Sequence, residues 1–368
     1  MNIVMLLFCI IAGFFIFFGC SKAMKKSSSF PSIEQETLEE REKGFQQYPN
    51  ALYPIEKNGK WGYMNRATKI IIQPQYENVE DFFEGRAKIQ KNGKYGYIDS
   101  TGKEIILAQF EKAENFFEGF AKIKKNEKYG FIDKTGKEII SPQFEDAGNF
   151  SEGFAAVKIN GKTGFINREG KIIIQPQFLR AVYVSQFSEG LASVYTSEEE
   201  GGGYIDKKGE WIIQPNFIEV GPFRNGLARV AVQEDKILTG FLDKGGLFVI
   251  APSFTFAWDF SENFVTGWTL SEDRTKKIWK CMDTQGNIVL DNLPYRTVGA
   301  CVGGFIPIQN SEMKWGFMDI TGKEIIPPQF SGINHFKNGL ARMEIGDFSR
   351  GHTSIVYINP TGKIVWQP

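Results

Sequence analysis

The chain has 368 residues, 42% of them hydrophobic, which is enough apolar material for a large core. Lysine plus arginine and aspartate plus glutamate are equal, at 43 each, so the formal net charge is zero. This balance, with no basic stripe along the sequence, excludes the electrostatic footprint of a nucleic-acid-binding protein.

The N-terminus is almost wholly apolar from Ile3 to Gly19 and ends in Gly19-Cys20. A transmembrane helix needs about 20 apolar residues, so this run is short for a span. A short apolar run that ends in small residues is typical of an export signal that is later removed. The ending resembles a bacterial lipobox. The resemblance implies that residues 1–19 are a signal peptide and that Cys20 is the lipid-modified first residue of the mature chain.

An uncleaved membrane anchor is the alternative, because Lys22, Lys25 and Lys26 follow the run and would favour a cytoplasmic body. A lone cysteine directly after glycine at the end of the run favours the lipoprotein. Residues 20–50 are then the lipidated N-terminus and a polar tether. A flexible tether of about 30 residues has a root-mean-square reach of roughly 30 Å.

From residue 51 onward the sequence repeats itself. A glycine recurs every 34 residues and then at wider spacing, at Gly62, Gly96, Gly130, Gly164, Gly203, Gly240 and Gly316. Two further units, around residues 281–286 and 356–363, keep the frame without this glycine. Self-similarity at such a period is typical of solenoids and propellers. Counting all units predicts nine repeats over residues 51–368.

The best-preserved repeats read Lys60-Trp61-Gly62-Tyr63 and Lys314-Trp315-Gly316-Phe317-Met318-Asp319. A Thr-Gly-Lys turn and a Pro-Gln-aromatic end follow in phase, as at Pro142-Gln143-Phe144. These marks resemble the bacterial WG (KWG) repeat family, and the resemblance covers nearly everything after residue 50. It implies a β-rich repeat and says little about activity.

One unit predicts three strands, at Phe120–Lys124, Lys128–Asp133 and Lys137–Ile140. Asn-Gly pairs such as Asn160-Gly161 suit the type I′ turn between the first two strands. Proline after the third strand is expected to end the ladder, since it has no N–H to donate. The repeat glycine is expected to allow the close approach of a neighbouring side chain or backbone.

Both faces of each predicted meander are apolar, so each sheet must be stacked between its neighbours. The sequence therefore predicts an all-β array of about nine three-stranded antiparallel meanders, forming an open or curved solenoid. A closed β-propeller is the alternative. Propeller blades usually have four strands, and no strand is left over to latch a ring, so the open form is favoured.

No motif predicts chemistry. His335 and His352 have no metal-ligand spacing around them, and Cys281 and Cys301 are either a disulfide pair or free buried thiols. The aspartate that recurs after each second strand is interpreted as a turn cap. We therefore expect no cofactor, no metal and no enzymatic activity.

Two functions remain: a non-catalytic protein-interaction scaffold anchored in the envelope, and a module that binds carbohydrate or cell-wall polymer. The expected location is extracytoplasmic, at the outer membrane or cell surface. The repeat is most degenerate from residue 254 to 301, where three tryptophans gather, namely Trp258, Trp268 and Trp279. These rings are the predicted ligand-binding residues, although they would equally fill space in a worn repeat.

Overall fold

The computed structural model describes residues 50–179, 186–197, 201–347 and 352–368, all of which lie in one compact unit. Within these ranges the chain forms nine small antiparallel sheets and no helix. The sheets are the blades of a β-propeller, numbered 1 to 9 in chain order. The predicted all-β class with nine units is confirmed. The open solenoid was wrong, and the closed propeller is the fold.

The first four blades contain fifteen strands. Blade 1 has β1 Leu52–Lys57, β2 Lys60–Asn65 and β3 Ile70–Tyr76, and blade 2 has β4 Asn78–Phe83, β5 Arg86–Lys91, β6 Lys94–Ile98 and β7 Glu104–Phe110. Blade 3 has β8 Lys112–Phe117, β9 Phe120–Lys125, β10 Lys128–Asp133 and β11 Glu138–Phe144. Blade 4 has β12 Asp146–Ala147, β13 Phe154–Ile159, β14 Lys162–Asn167 and β15 Ile172–Phe178.

The remaining blades each have four strands. Blade 5 has β16 Phe187–Ser188, β17 Leu191–Ser197, β18 Gly201–Ile205 and β19 Trp211–Phe217, and blade 6 has β20 Glu219–Arg224, β21 Leu227–Gln233, β22 Ile237–Leu242 and β23 Phe248–Phe254. Blade 7 has β24 Phe256–Ala257, β25 Phe264–Leu270, β26 Lys277–Asp283 and β27 Ile288–Leu293. Blade 8 has β28 Thr297–Val298, β29 Ile306–Gln309, β30 Trp315–Met318 and β31 Glu324–Phe330, and blade 9 has β32 Gly332–Ile333, β33 Ala341–Asp347, β34 His352–Ile358 and β35 Ile364–Trp366.

The predicted three-stranded unit missed one strand per blade. In blades 2 to 9 an extra strand comes first in the chain and lies innermost, so that β4 contacts β8 and β16 contacts β20. In several blades this inner strand is only two residues long, which is too short to show an alternating pattern. The segment that seemed to open each unit, such as Phe117-Glu118-Gly119, is the tight hairpin between the inner and second strands.

The repeat glycine is explained by a bulge in its own blade. Tyr129 pairs with Phe144 and Phe131 pairs with Ile140. The outer strand therefore has three residues, 141–143, opposite the single residue Gly130. A Cβ on Gly130 would lie 2.5 Å from the backbone oxygen of Ile140. The predicted close approach is confirmed, and it comes from the outer strand. The prediction that proline ends this strand was wrong. Pro142 lies inside the strand, at the bulge, where no ladder hydrogen bond is required.

Blade 7 shows what happens when this glycine is missing. Lys280 occupies the position of the repeat glycine. Trp279 pairs with Leu293 and Cys281 pairs with Leu290, so the outer strand has only two residues opposite Lys280. This strand also lacks the Pro-Gln-aromatic sequence. In blade 7 the glycine and the three-residue bulge are therefore lost together, whereas blade 2 keeps both with Ala108 in place of the proline.

The turns form as predicted. Asn160 and Gly161 have φ of 50° and 76°, as a type I′ turn requires. Asp133 caps the second turn, since its Oδ1 accepts hydrogen bonds from the backbone N–H groups of Thr135 and Lys137 at 2.9 and 3.0 Å. The capping role expected for the recurring aspartate is confirmed.

Neighbouring blades are joined by a glutamate in the inner hairpin. Glu118 of blade 3 accepts hydrogen bonds from the backbone N–H groups of Glu152 and Gly153 of blade 4, at 2.5 and 2.8 Å. It also forms an ion pair with Arg168 at 2.9 Å. Partial burial alone would raise the pKa of Glu118, but these hydrogen bonds and the arginine lower it overall. Equivalent contacts start from Glu84, Glu152, Glu189 and Glu262.

The ring closes between blades 9 and 1. The Tyr357 hydroxyl donates to the backbone oxygen of Pro54 at 2.6 Å, and the Tyr53 hydroxyl donates to the backbone oxygen of Asn338 at 2.6 Å. The same tyrosines pack in one buried cluster with Leu340. Among the described residues, these hydrogen bonds and this packing join the two ends of the array.

Candidate functional site

Three features of the described residues stand out from the repeated framework: a cavity beside blade 1, an aromatic row in blade 7 and an apolar outer edge in blade 6. The first is a cavity of about 850 Å³ where blades 9, 1 and 2 meet at the inner edge of β1. Blade 1 has three strands within the described residues.

Polar and charged groups surround the cavity. Lys337 of blade 9 reaches across to blade 2, where its Nζ lies 3.0 Å from Asp81 Oδ2 and 4.3 Å from the centre of the Phe83 ring. Arg342 also lines the cavity. Its guanidinium lies 6.0 Å from the Trp61 ring and has no hydrogen bond or ion pair among the described residues. The lining includes His335, whose pKa is lowered by burial.

The predicted tryptophans share one face of blade 7. Phe256 pairs with Trp268 across the first two strands, and Trp268 pairs with Trp279 across the next two. Residues directly opposite one another in a sheet point to the same face, so these rings form a row. Trp258, two residues beyond Phe256, joins the row with its ring centre 4.9 Å from that of Phe256.

Exposure decreases along this row. Trp258 and Phe256 are 40% and 36% exposed, whereas Trp279 is 2% exposed and packs against blade 8. The indole nitrogen of Trp258 donates to the backbone oxygen of Val298 at 2.9 Å, which fixes the ring in place. Trp268 is half-buried, and Lys277 Nζ lies 4.5 Å from its ring centre. The structure thus brings the three predicted residues together, with Trp258 at the open end and Trp279 in the core.

The outer edge of blade 6 differs from those of the other blades at Leu247, and sequence reasoning missed this difference. Leu247, Phe248 and Val249 are 71%, 43% and 38% exposed. Leu247 follows the second turn, where every other blade has lysine, glutamate or asparagine. Phe248 lies beside the outer strand of blade 5, with its ring centre 6.4 Å from that of Phe217. The signal in the sequence was the loss of the charged residue at this single repeat position.

The outer strand of blade 5 carries a further exposed apolar residue. Ile212, in the outer strand of that blade, is 48% exposed. The turn of blade 6 packs beside this strand, because a Cβ on Gly246 would lie 3.5 Å from the side chain of Ile213. We call the four residues 212 and 247–249 the blade 6 patch. Contiguous apolar patches larger than a few hundred Å² are rare on monomeric proteins and mark interaction sites.

The two cysteines of the described residues are both buried. Cys281 and Cys301 are free and buried, so of the two alternatives the free thiols are observed. Burial raises the pKa of Cys281 to about 12, which keeps its thiol protonated. Cys301 donates to Glu262 Oε2 at 3.5 Å. Among the described residues there is no group of three metal-ligating side chains and no helix that could cross a membrane.

Cys20 lies outside the described residues, as do the predicted signal peptide and nearly all of the predicted tether. Their assignment rests on the sequence.

Seven segments of the chain match the family model described as the WG containing repeat: residues 61–95, 95–129, 129–162, 164–196, 203–236, 240–266 and 315–347. The first segment starts in β2 and ends in β6, so the sequence repeat and the blade are out of phase. Residues 267–314, between the last two matches, include the strands of blade 7 that lack the glycine and the proline bulge.

One solved structure supports the fold, and two others align with lower scores. A crystal structure of the eukaryotic initiation factor aligns with a TM-score of 0.64 at 11% identity, covering 86% of this chain and 96% of that chain. BamB from Moraxella catarrhalis aligns with a TM-score of 0.38 at 12% identity, covering 80% and 90%. Hsv2 from Kluyveromyces lactis aligns at 0.35 and 12% identity, covering 76% and 93%. At 11% identity the first likeness concerns the fold alone.

No curated protein matches the chain. The repeat model nevertheless matches more than half of the residues, and its glycine explains the bulge that shapes most blades. The chain therefore belongs to the WG-containing repeat family.

Proposed function

We propose that the protein is a lipid-anchored scaffold of the cell envelope, which binds a protein partner through the blade 6 patch and carries out no chemistry itself. The observation that carries the proposal is the exposure of Leu247, Phe248 and Val249 in a repeat that otherwise places a charged or polar residue at the first of these positions. A partner that covered these side chains would remove apolar surface from water, which is the main driving force of protein association.

The anchor supports the same proposal. Gly19-Cys20 ends a short apolar run and is followed by a polar segment before the first blade. Lipid on Cys20 would hold the propeller on the extracytoplasmic side, at the outer membrane or cell surface. A scaffold in this position acts by presenting a surface, so it requires no cofactor.

The experiment is site-specific photo-crosslinking of the full-length protein in cells of its source. A crosslinking amino acid is placed at Phe248, and the matched control carries it at Glu138, the same strand position in blade 3. We expect a discrete crosslinked protein from position 248 and none from position 138. When Leu247→Lys is added to the protein that carries the crosslinker at position 248, the crosslinked product should disappear. The same pattern from both positions would contradict the proposal.

Carbohydrate or cell-wall polymer binding is the second candidate, favoured by the exposed edge-to-face pair of Phe256 and Trp258. Aromatic faces next to polar groups suit a sugar, since each ring presents an apolar surface with hydrogen-bonding groups nearby. A glycan array probed with wild type and Trp258→Ala tests it. Specific binding that is lost in the variant would support this candidate over the protein scaffold.

A further inference from the structure

We propose that Cys281, Cys301 and Met318 form a binding site for a soft monovalent cation, Cu⁺, between blades 7 and 8. The site lies apart from the blade 6 patch and does not depend on the scaffold function. Two observations carry the proposal. Three repeat positions that pack together at other blade interfaces all hold sulfur here, and the carboxylate beside them lacks the cation that it pairs with elsewhere.

The first two positions face one another across the blade interfaces. The residue after the repeat glycine packs on an aromatic residue that precedes the inner hairpin of the next blade, as Phe131 packs on Phe150 with ring centres 4.9 Å apart. The same contact, at 4.9 or 5.0 Å, occurs at seven interfaces. Between blades 7 and 8 the two positions hold Cys281 and Cys301, both buried and free. The cysteines therefore lie on opposite sides of one interface contact.

Two further contacts place the cysteines near each other. Thr266 pairs directly with Cys281 in blade 7, and its hydroxyl donates to the backbone oxygen of Gly299 at 2.8 Å, two residues before Cys301. Burial raises the pKa of the Cys301 thiol most, followed by the Glu262 carboxylate and then by Cys281. The two thiols are thus within range of each other's charge, as a shared ion requires.

Methionine occupies the third position, which packs against this pair. The equivalent residue of blade 3, Ile132, is buried in one cluster with Tyr97 and Phe116. In blade 8 the position holds Met318, which is fully buried and lies in one cluster with Cys301. Blade packing thus brings three sulfur-containing side chains to one interface, although they are 20 and 17 positions apart in the sequence.

Sulfur ligands select soft metals. Thiolate and thioether groups favour Cu⁺ over harder cations. Histidine, cysteine, aspartate and glutamate side chains of the described residues form no group of three that could hold a metal, so the third ligand is the thioether. On binding, two S–H bonds break and two sulfur–metal bonds form, the two protons pass to water, and Met318 donates a lone pair. The oxidation states of copper and sulfur do not change.

Glu262 supplies negative potential beside the thiols. Its carboxylate accepts hydrogen bonds from the Cys301 thiol at 3.5 Å and from the backbone N–H of Gly304 at 2.9 Å. Four equivalent glutamates each form an ion pair with a lysine or arginine of the next blade, namely Glu84, Glu118, Glu152 and Glu189. Ile320 takes the place of that cation in blade 8, and Glu262 has no ion pair within the part of the chain that the structure describes. A bound cation would restore the missing positive charge.

Anaerobic titration with Cu⁺ tests the proposal. The protein is the full-length chain with Cys9→Ser and Cys20→Ser, purified in detergent, so that Cys281 and Cys301 are its only thiols. In competition with the chelator bicinchoninate we expect one tightly bound Cu⁺. Cys281→Ala should weaken binding by more than about 100-fold, since even the loss of an outer-sphere partner costs about 10- to 100-fold. The absence of one tight equivalent would overturn the proposal.

Methionine variants test the third ligand. Met318→Leu removes the thioether and conserves the volume, so we expect Cu⁺ binding to weaken by about 10-fold while the metal-free Tm stays near that of wild type. The matched control is Met64→Leu, at the same repeat position in blade 1, which should bind Cu⁺ like wild type. Equal affinities of these two variants for Cu⁺ would refute the site.

Thermal unfolding and mass spectrometry provide further readouts. At free Cu⁺ about 100 times Kd, the Tm of the unsubstituted site should rise by about 4 °C, because the ion binds only the folded state. Protein isolated from membranes without reductant should carry both thiols reduced. A disulfide between Cys281 and Cys301 in that protein would overturn the proposal, because neither sulfur could then bind the ion.

Discussion

Gly130 offers a direct test of how this repeat folds. A Cβ added to it would lie 2.5 Å from the Ile140 oxygen and 2.6 Å from the Pro142 nitrogen, both backbone atoms. Ordinary contact begins at 3.4 Å, so the outer strand would have to move by about 0.9 Å. Overpacking of this kind costs about 1 to 3 kcal/mol, and we expect Gly130→Ala within that range and Gly130→Val at its upper end.

The assay is thermal unfolding followed by circular dichroism. For a chain of this length the unfolding entropy is about 0.7 kcal/mol per degree, so a cost of about 1 to 3 kcal/mol lowers Tm by about 1 to 4 °C. The control is Gly119→Asn, because Gly119 has open space around its Cβ position and asparagine occupies the equivalent place at Asn263 with φ of 69°. A Tm of Gly130→Val equal to that of wild type would refute the close approach.

Blade 7 suggests a rescue of the same defect. Gly130→Lys combined with deletion of Pro142 reproduces the shorter outer-strand crossing seen at Lys280. We expect the double variant to be more stable than Gly130→Lys alone. If deletion of Pro142 lowers the stability of Gly130→Lys further instead, the glycine and the bulge are not coupled in the way that we infer.

The remaining predictions concern the anchor, the aromatic row and the contacts between blades. Cys20→Ser should abolish membrane fractionation and metabolic palmitate labelling, and unchanged labelling would disprove the anchor. Trp258→Ala should leave the melt nearly intact, whereas Trp279→Ala should cost about 3 to 5 kcal/mol because its ring is buried; similar melts for the two would show that the row is packed differently. Glu118 has a pKa below its usual 4.5, so its contribution to stability is present above that pH and is lost as the pH falls through the lowered value. In Glu118→Gln, Tm should fall less steeply with pH below 4.5, and a slope identical to that of wild type would contradict the assignment.

The sequence predicted the parts of the fold that depend on local chemistry. The Asn-Gly turns, the aspartate caps and the close approach at Gly130 each follow from what one residue type can do. The inner strand was missed because two residues, such as Phe187–Ser188, carry no periodicity. Without that strand, three strands per unit argued for an open array. The closure followed from contacts between residues about 300 positions apart, such as Tyr357 and Pro54, which no local pattern reveals.

The candidate sites were also predicted only in part from the sequence. The tryptophans of blade 7 were found because the repeat fails there, but their sequence alone did not separate exposed Trp258 from buried Trp279. That difference arises from the packing of blade 8 against one end of the row. The blade 6 patch was missed because a leucine in a glycine-rich turn is unremarkable until all the blades are superimposed.

Closure of the ring is tested most directly by a distance between blades 2 and 9. Spin labels are placed at residues 81 and 337, whose side chains are 3.0 Å apart, with Cys9 and Cys20 replaced by serine and the buried Cys281 and Cys301 left in place. Double electron–electron resonance should then give a narrow distance on the order of 15 Å, set by the length of the two labels. An open array would separate the labels by seven sheets at about 10 Å each, and a distance near 70 Å would contradict the closed propeller.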